Sequence, residues 1–366
     1  MSELGHIPVL LEEVLRLLSP ESGETFIDAT LGRGGHAEAI ARAVGPEGRL
    51  IGADLDPANL EFVRERLQSL NVPRELLHTN FAVLPAILRQ RGWSADGLLA
   101  DLGFSSTQMD DPARGFSFSA DGPLDMRLDP TAPRTAADLI AELDERGLAD
   151  VIYSYGEEPL SRKIARKLVE SRKSEPIETT ARLAGLVREA YGARARQSRM
   201  HPATRTFMAL RIAVNDELGG LTRLLELIAE AAASEAGDAW LRRGARVGII
   251  SFHSLEDRLV KRAFVELDRR GLATRLTRKP VTAGEQEVSG NARARSAKLR
   301  VVRIDGPNSG SSELTAPTPG RQDRRPQLVK VRPPGRGRTD RSSPLSGGER
   351  SGMNPLPSTD ADEHDT

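Results

Sequence analysis

TFIDATLGRGGHAEAIARAVGPEGRLIGAD, residues 25–54, decides how the rest of the chain reads. Thr25 to Asp28 is apolar and β-favouring up to a terminal acid, and a glycine-rich turn follows. His36 to Val44 has helical spacing, and Arg49 to Asp54 returns to strand character and again ends in an acid. Strand, helix and strand within one short span predict a parallel sheet with helices on its faces. The same rhythm extends outward. Leu10, Leu11, Val14, Leu17 and Leu18 predict an opening helix that stops at Ser19 and Pro20. A helix from Pro57 to Leu70, a strand from Leu76 to Thr79, a helix over Leu84 to Arg91 and a strand from Gly97 to Leu102 continue the alternation.

The rhythm breaks after Leu102. Residues 105–211 begin as a loop rich in Asp, Gly and Pro and then read as helices, one carrying Leu160, Ile164 and Leu168, another capped at Thr179 or Thr180. Sheet character resumes with a helix bearing Leu221, Leu224, Leu225 and Ile228, then GARVGIISFHS from Gly244 to Ser254. Leu272 to Thr277 and Ala297 to Ile304 predict a terminal antiparallel pair. The expected architecture is α/β, a Rossmann-like sheet from residues 1–105 and 212–304 interrupted by a helical domain at 106–211. From 305 to 366 nine of the 23 prolines and none of the aromatics occur, which predicts a disordered tail.

The chain has no cysteine, so disulfides, thiolate metal sites and cysteine nucleophiles are excluded. Its start is acidic rather than basic and no apolar run reaches the roughly 18 residues of a membrane span, which fits a cytoplasmic protein. Net charge is zero, yet residues 93–160 hold 14 acids and four basic residues, whereas 161–211 and 258–303 each hold 13 basic residues and four acids. Two basic blocks brought together by folding would attract a polyanion.

Open parallel sheets bind ligands beyond the carboxyl ends of their strands. After the first strand, Gly32, Gly34 and Gly35 allow a tight turn, but alanine at 37 departs from G-x-G-x-x-G, and Asp28 beside the turn suits a cationic amino group better than a pyrophosphate. Asp54 lies where an acid accepts hydrogen bonds from ribose, while Asp56, before Pro57, suits a helix N-terminus. Phe81 follows the third strand and either stacks on a purine or packs in the core. These acids favour S-adenosylmethionine over NAD as ligand. Asp101 ends the fourth strand, where it either orients the nucleophile and takes up its proton or only binds the cofactor. Ser105 and Ser106 lack the G-x-S-x-G elbow of acyl transfer. His253 either touches the substrate or is structural, and no metal-ligand cluster is expected around it.

Eight segments carry a resemblance to a known family. They are HIPVLL at His6, DATLGRGGH at Asp28, DLGFSSTQMD at Asp101, RGFSFSADGPLDMR at Arg114, HPATRTF at His201, RIAVNDEL at Arg211, SFHSLEDR at Ser251 and NARARSAKLR at Asn291. Over about residues 6–304 the chain resembles the bacterial ribosomal RNA small-subunit methyltransferase H family. The resemblance implies a class I methyltransferase sheet and methylation of the exocyclic N4 of one cytidine, number 1402, in the decoding centre of 16S rRNA, from S-adenosylmethionine. It implies Gly34, Gly35, His36, Asp54, Phe81, Asp101 and Gln108 as cofactor positions. It also implies the small ribosomal subunit as partner and leaves a homodimer open. Where many amino methyltransferases carry an Asn/Asp-Pro-Pro-aromatic motif, this chain has DLGFSS from Asp101.

The residues constrain the acceptor atom independently. C5 methylation of cytosine needs a cysteine that the chain lacks. N4 is a poor nucleophile, so Asp101 and neighbouring carbonyls are candidates to accept hydrogen bonds from it. Arg199, His201, Arg205 and Arg211, with Lys298 and Arg300, are candidates for RNA phosphates, unless Asp125, Asp216, Glu256 and Asp257 pair with them internally. Phe104, Phe116 and Phe118 are candidates to stack a flipped base. Two rival classes remain: a nicotinamide oxidoreductase, which Asp28 disfavours, and a non-catalytic RNA-binding factor, which would not need the cofactor acids.

Overall fold

The computed structural model describes residues 8–197, 200–235 and 239–307; His6, Arg199 and the tail from 308 onward lie outside them. Helix α1 (Leu11–Leu18) precedes β1 (Thr25–Asp28), α2 (Gly35–Val44), β2 (Arg49–Asp54), α3 (Pro57–Arg66), β3 (Arg74–His78), α4 (Leu84–Gln90) and β4 (Ala95–Asp101). Helices then follow, with no strand among the described residues: α5 (Ser106–Asp110), α6 (Ala136–Glu142), α7 (Glu145–Gly156), α8 (Ser161–Ser171), α9 (Thr180–Tyr191), α10 (Thr204–Asn215) and α11 (Glu217–Ala233). The chain closes with β5 (Leu241–Ser251), α12 (Ser254–Arg269), β6 (Ala273–Arg275), α13 (Glu285–Gly290) and β7 (Lys298–Ile304).

One seven-stranded sheet results, in the order β3-β2-β1-β4-β5-β7-β6. β1 to β5 are parallel, and β7 runs antiparallel to both β5 and β6, so the expected terminal pair is present. Side chains alternate across the sheet. Leu98 and Ala100 of β4 enter the apolar layer under α4, α11 and α12, whereas Leu99 enters the layer under α1, α2 and α3. Val247 and Ile249 of β5 face the first layer and Ile250 the second. This alternation is why strand positions are so legible in the sequence. It also leaves no slack: a Cβ on Gly97 would lie 2.0 Å from the Phe26 ring. Gly97→Ala is therefore expected to destabilise the protein by about 1–3 kcal/mol. Gly185→Ala, inside α9 with nothing within 4 Å of the new methyl, is expected to be neutral or stabilising. Urea unfolding of the two variants checks the contrast.

The helices between β4 and β5 have an apolar cluster of their own, built on residues such as Leu139, Ile152, Ile164, Leu183 and Phe207. The boundary expected at 211/212 falls inside α10, because Ile212 still packs in that cluster. α11 joins the two layers, with Leu218 in the helical cluster and Leu221, Leu224, Leu225 and Ile228 against the sheet. Several element ends differ from the sequence reading: β3 starts at Arg74 rather than Leu76, β4 starts at Ala95 rather than Gly97, and β6 spans only Ala273–Arg275. α3 stops at Arg66 rather than Leu70, where Ser69 and Asn71 compete with the helical backbone before Pro73. The short α13 breaks the segment between β6 and β7. Among the described residues no helix is long and apolar enough to cross a membrane.

Candidate active site

The sheet order reverses between β1 and β4: β2 and β3 lie on one side of β1, β4 and β5 on the other. Loops leave a parallel sheet in opposite directions at such a point, so a crevice opens beyond the strand ends. A cavity of about 340 Å³ occupies it. Its walls come from the loops after β1 to β5, through Thr30, Gly32, Asp54, Phe81, Asp101 and His253 among others.

After β1 the chain turns on Gly32 and Gly34, both with positive φ, and enters α2. Gly35 and His36 line the cavity. Gly34 does not; a Cβ there would meet Val63 of α3 at 2.8 Å, so this glycine serves the turn and the close approach of two helices. Asp28 also lies beneath the cavity rather than on its wall, 1% exposed, its Oδ1 accepting from the Thr30 N–H at 3.2 Å. The expected direct contact between Asp28 and a ligand amino group is therefore corrected. Its carboxylate acts on the site through its field.

Asp54 lines the cavity and ties two loops together. Its Oδ2 accepts from Gly32 N–H at 2.7 Å, and its Oδ1 from Asp56 N–H at 2.8 Å and Asn59 Nδ2 at 3.2 Å. A carboxylate has about four acceptor positions, so Oδ2 keeps one for a further donor such as a ribose hydroxyl. Asp56 caps α3 through the Ala58 N–H, as its place before Pro57 suggested. It does more than that: Oδ2 also accepts from Gln108 Nε2 at 2.8 Å and from Arg114. Burial would raise the Asp56 carboxyl, but Arg114 and Gln108 hold it below the usual range. Gln108 in turn caps α5, with Oε1 accepting from Ser105 N–H. Gln108 thus lines the cavity with its amide committed to protein partners. The Asp56 hub joins segments 58 residues apart and left no mark in the sequence beyond the cap.

Asp101 stands at the centre. Its backbone N–H donates to Thr30 Oγ1 at 2.6 Å, its Oδ2 is 3.7 Å from His36 Nδ1, and its Oδ1 is buried with no hydrogen-bond partner. His36 Nε2 is 2.9 Å from the Val9 carbonyl, which assigns the N–H to that nitrogen and turns Nδ1 toward Asp101. Burial pushes three carboxyls up. Asp28 rises to about 7, with Asp54 adding to the effect, and Asp54 itself to about 6, both opposed by backbone N–H donors. Asp101 rises well above the ordinary range, by burial first and then by the charges of Asp28 and Glu256. A cleft of crowded, buried acids is a receptor for a cation.

On the β5 side, Arg211 is held by both oxygens of Glu217 at 2.7 and 2.8 Å and lies over the Phe104 ring. Arg300 is 7% exposed and pairs with Asp257 at 2.7 Å. Arg300 thus makes the internal pairing with Asp257 that the sequence reading held open, and Arg211 lines the cavity already paired with Glu217; a guanidinium held by a carboxylate has less to offer a phosphate. His201 is exposed, Arg205 is half-buried, and Lys298 is 39% exposed and 3.8 Å from Asp257. Phe104 lines the cavity, but Phe116 stacks parallel to it at 5.1 Å and Arg211 covers it, so its faces are engaged. Phe118 lies outside the cavity walls, stacked on His201 at 4.5 Å. Of the three, only Phe104 reaches the cavity wall, already in contact with Phe116 and Arg211. The sequence reading also expected no metal-ligand cluster beside His253, yet ligand atoms of Glu217, His253 and Glu256 lie within 4.8 Å of one another. Arg211 occupies Glu217 there, and Glu256 Oε2 accepts from the Phe252 N–H at 2.8 Å.

A parallel sheet finished by an antiparallel edge, with a cleft lined by acids where a dinucleotide fold has its phosphate turn, defines a Rossmann-like methyltransferase. A family model described as MraW methylase family matches residues 3–305, and the chain belongs to that family. It is 48% identical over 309 residues to the ribosomal RNA small subunit methyltransferase H of Acidobacterium capsulatum, covering 82% of this chain and 99% of that one. The like-named protein of Geobacter sulfurreducens is 48% identical over 314 residues, covering 81% and 98%. Solved structures are more distant: TrmN from Thermus thermophilus has a TM-score of 0.35 at 14% identity, covering 81% of this chain and 48% of that one. Fibrillarin from Aeropyrum pernix has a TM-score of 0.33 at 13% identity, covering 80% and 71%. The chain is a methyltransferase.

Proposed function

We propose that this protein methylates the exocyclic N4 of a single cytidine in the decoding centre of 16S rRNA, acting in the cytoplasm on the small ribosomal subunit. The observation that carries the chemistry is the buried, unpartnered Oδ1 of Asp101 in the wall of an acid-lined cavity. The relatives' names support the substrate class. The missing cysteine supports an amino nitrogen rather than C5 as the acceptor.

The cleft fits S-adenosylmethionine by charge: its acids, crowded and raised in pKa, gain from a cationic ligand. Asp54 would hold the ribose, Phe81 the purine, and the Gly35–His36 turn would approach the amino-acid end. When bound, the donor supplies an electrophilic methyl group and leaves as a neutral thioether. The protein's own work concerns the nucleophile. The N4 lone pair is delocalised into the pyrimidine ring. Asp101 accepts an N4 hydrogen in the ring plane, which localises the lone pair perpendicular to it and gives the departing proton somewhere to go.

Residues 106–211 are the substrate-recognition part of this reading, with His201 and Arg205 as RNA contacts and Lys298 of β7 as a further one from the sheet. Arg199 lies outside the described residues. Mass spectrometry of 16S rRNA from cells lacking the protein is expected to show one cytidine without its N4 methyl group, restored by purified enzyme and S-adenosylmethionine. An unchanged modification pattern overturns the proposal. Sedimentation of the purified protein decides whether it works as a homodimer.

A further inference from the structure

Asp101 Oδ1 and His253 Nε2 are buried side-chain atoms with no hydrogen-bond partner, and both residues line this same cavity. Leaving a buried donor or acceptor unmade is costly, so such atoms point to a ligand that completes them. They come from neighbouring parallel strands, β4 and β5, with Asp101 opposite Ile250 and His253 just past the end of β5. Their hydrogen-bonding senses differ. His253 is the N-cap of α12, and its Nδ1 accepts from the Glu256 N–H, which leaves the ring proton on Nε2. That nitrogen is 3.2 Å from Glu256 Oε1, but the contact makes no aligned hydrogen bond. His253 therefore presents a donor and Asp101 an acceptor.

We propose that His253 and Asp101 together read the pairing edge of the target base, Nε2–H of His253 donating to N3 of cytosine while Oδ1 of Asp101 accepts from its N4 amine. This deepens the cytidine reading above and rests on it. Cytosine places a donor at position 4 and an acceptor at position 3; uracil places an acceptor and a donor there and would meet both residues with the wrong sense. Glu256, beside His253 and electrostatically coupled to Asp101, holds the pair in one field. With Phe104 covered by Phe116 and Arg211, edge contacts rather than stacking select the base.

The test is a cycle between protein and substrate on small subunits whose target nucleotide is cytidine or 3-deazacytidine, in which a C–H replaces N3. His253→Asn keeps an N-cap acceptor but shortens the side chain. The wild-type enzyme on 3-deazacytidine, and His253→Asn on cytidine, are each expected to lose about 10- to 100-fold in kcat/KM. The variant on 3-deazacytidine is expected to be no worse than either alone, since both changes remove the same bond. Losses that multiply, or a variant as active as wild type, overturn the proposal. Should His253→Asn fail to fold, the wild-type arm decides: full activity on 3-deazacytidine overturns it, and the stated loss supports it. If the wild-type enzyme forms no N4-methylcytidine on unmodified subunits, the cytidine reading itself fails, an outcome distinct from failure at His253.

Discussion

Asp101→Asn is expected to lower the rate of methyl transfer by about 100- to 1,000-fold, the range seen when one preorganised group facing the reacting atom is removed. Asparagine keeps the size of the side chain, and the backbone N–H bond to Thr30 Oγ1 does not depend on it. Folding is expected to survive, because a buried carboxyl raised well above its ordinary range exchanges for a neutral amide at little cost. Two functions are lost: a charged acceptor for the N4 hydrogen, and a base able to carry the proton away. The sequence left open whether Asp101 serves chemistry or only cofactor binding. Calorimetric titration with S-adenosylmethionine beside single-turnover kinetics separates these. A turnover loss far larger than the affinity loss places Asp101 in the chemistry; equal losses reduce it to a cofactor ligand.

Binding of S-adenosylmethionine is expected to release protons, and its affinity to climb by as much as tenfold per pH unit for each proton released, up to about pH 7. In the ligand-free cleft Asp28 titrates at about 7 and Asp54 at about 6, both above the ordinary 3.8. A cationic ligand favours the ionised acids and lowers these values, so binding and deprotonation are linked. Stability of the free protein runs the other way. Each raised carboxyl contributes stability that is complete below the unfolded value near 3.8 and is lost as pH rises through about 6 for Asp54 and about 7 for Asp28. The change amounts to roughly 7 kcal/mol at most for the two together. The ligand therefore stabilises the protein most near neutrality. Titration heats in buffers of different ionisation enthalpy count the protons, and thermal unfolding from pH 5 to 7.5 follows the stability. A flat affinity across that window, with heats independent of buffer, would show the acids already ionised.

The catalytic scaffold was legible because its information is local. β1 and β2 begin and end where their residues suggested, since alternating burial against two helical layers demands an alternating or continuous apolar pattern. The strand-end acids were legible for the same reason: a polar residue closing an apolar run marks where the strand ends, as Asp28, Asp54 and Asp101 do. The helical insertion was legible as helix spacing, and its join to the sheet was misplaced only within α10.

Which of those polar residues is available was not legible. Arg211 and Arg300 read as phosphate cations until Glu217 and Asp257 are seen beside them, and Asp28 reads as a ligand contact until it is found under the floor. Asp56 read as a cap alone, because Arg114 reaches it from 58 residues away. By itself, then, the order of residues determined the strands, the helices over them and the acids at the crevice. The tertiary structure alone decided which charges are neutralised, which rings are engaged, and that Asp101 Oδ1 and His253 Nε2 stay unmatched beside the cavity. Periodicity is a property of neighbours along the chain, whereas desolvation and pairing depend on groups that only folding brings together.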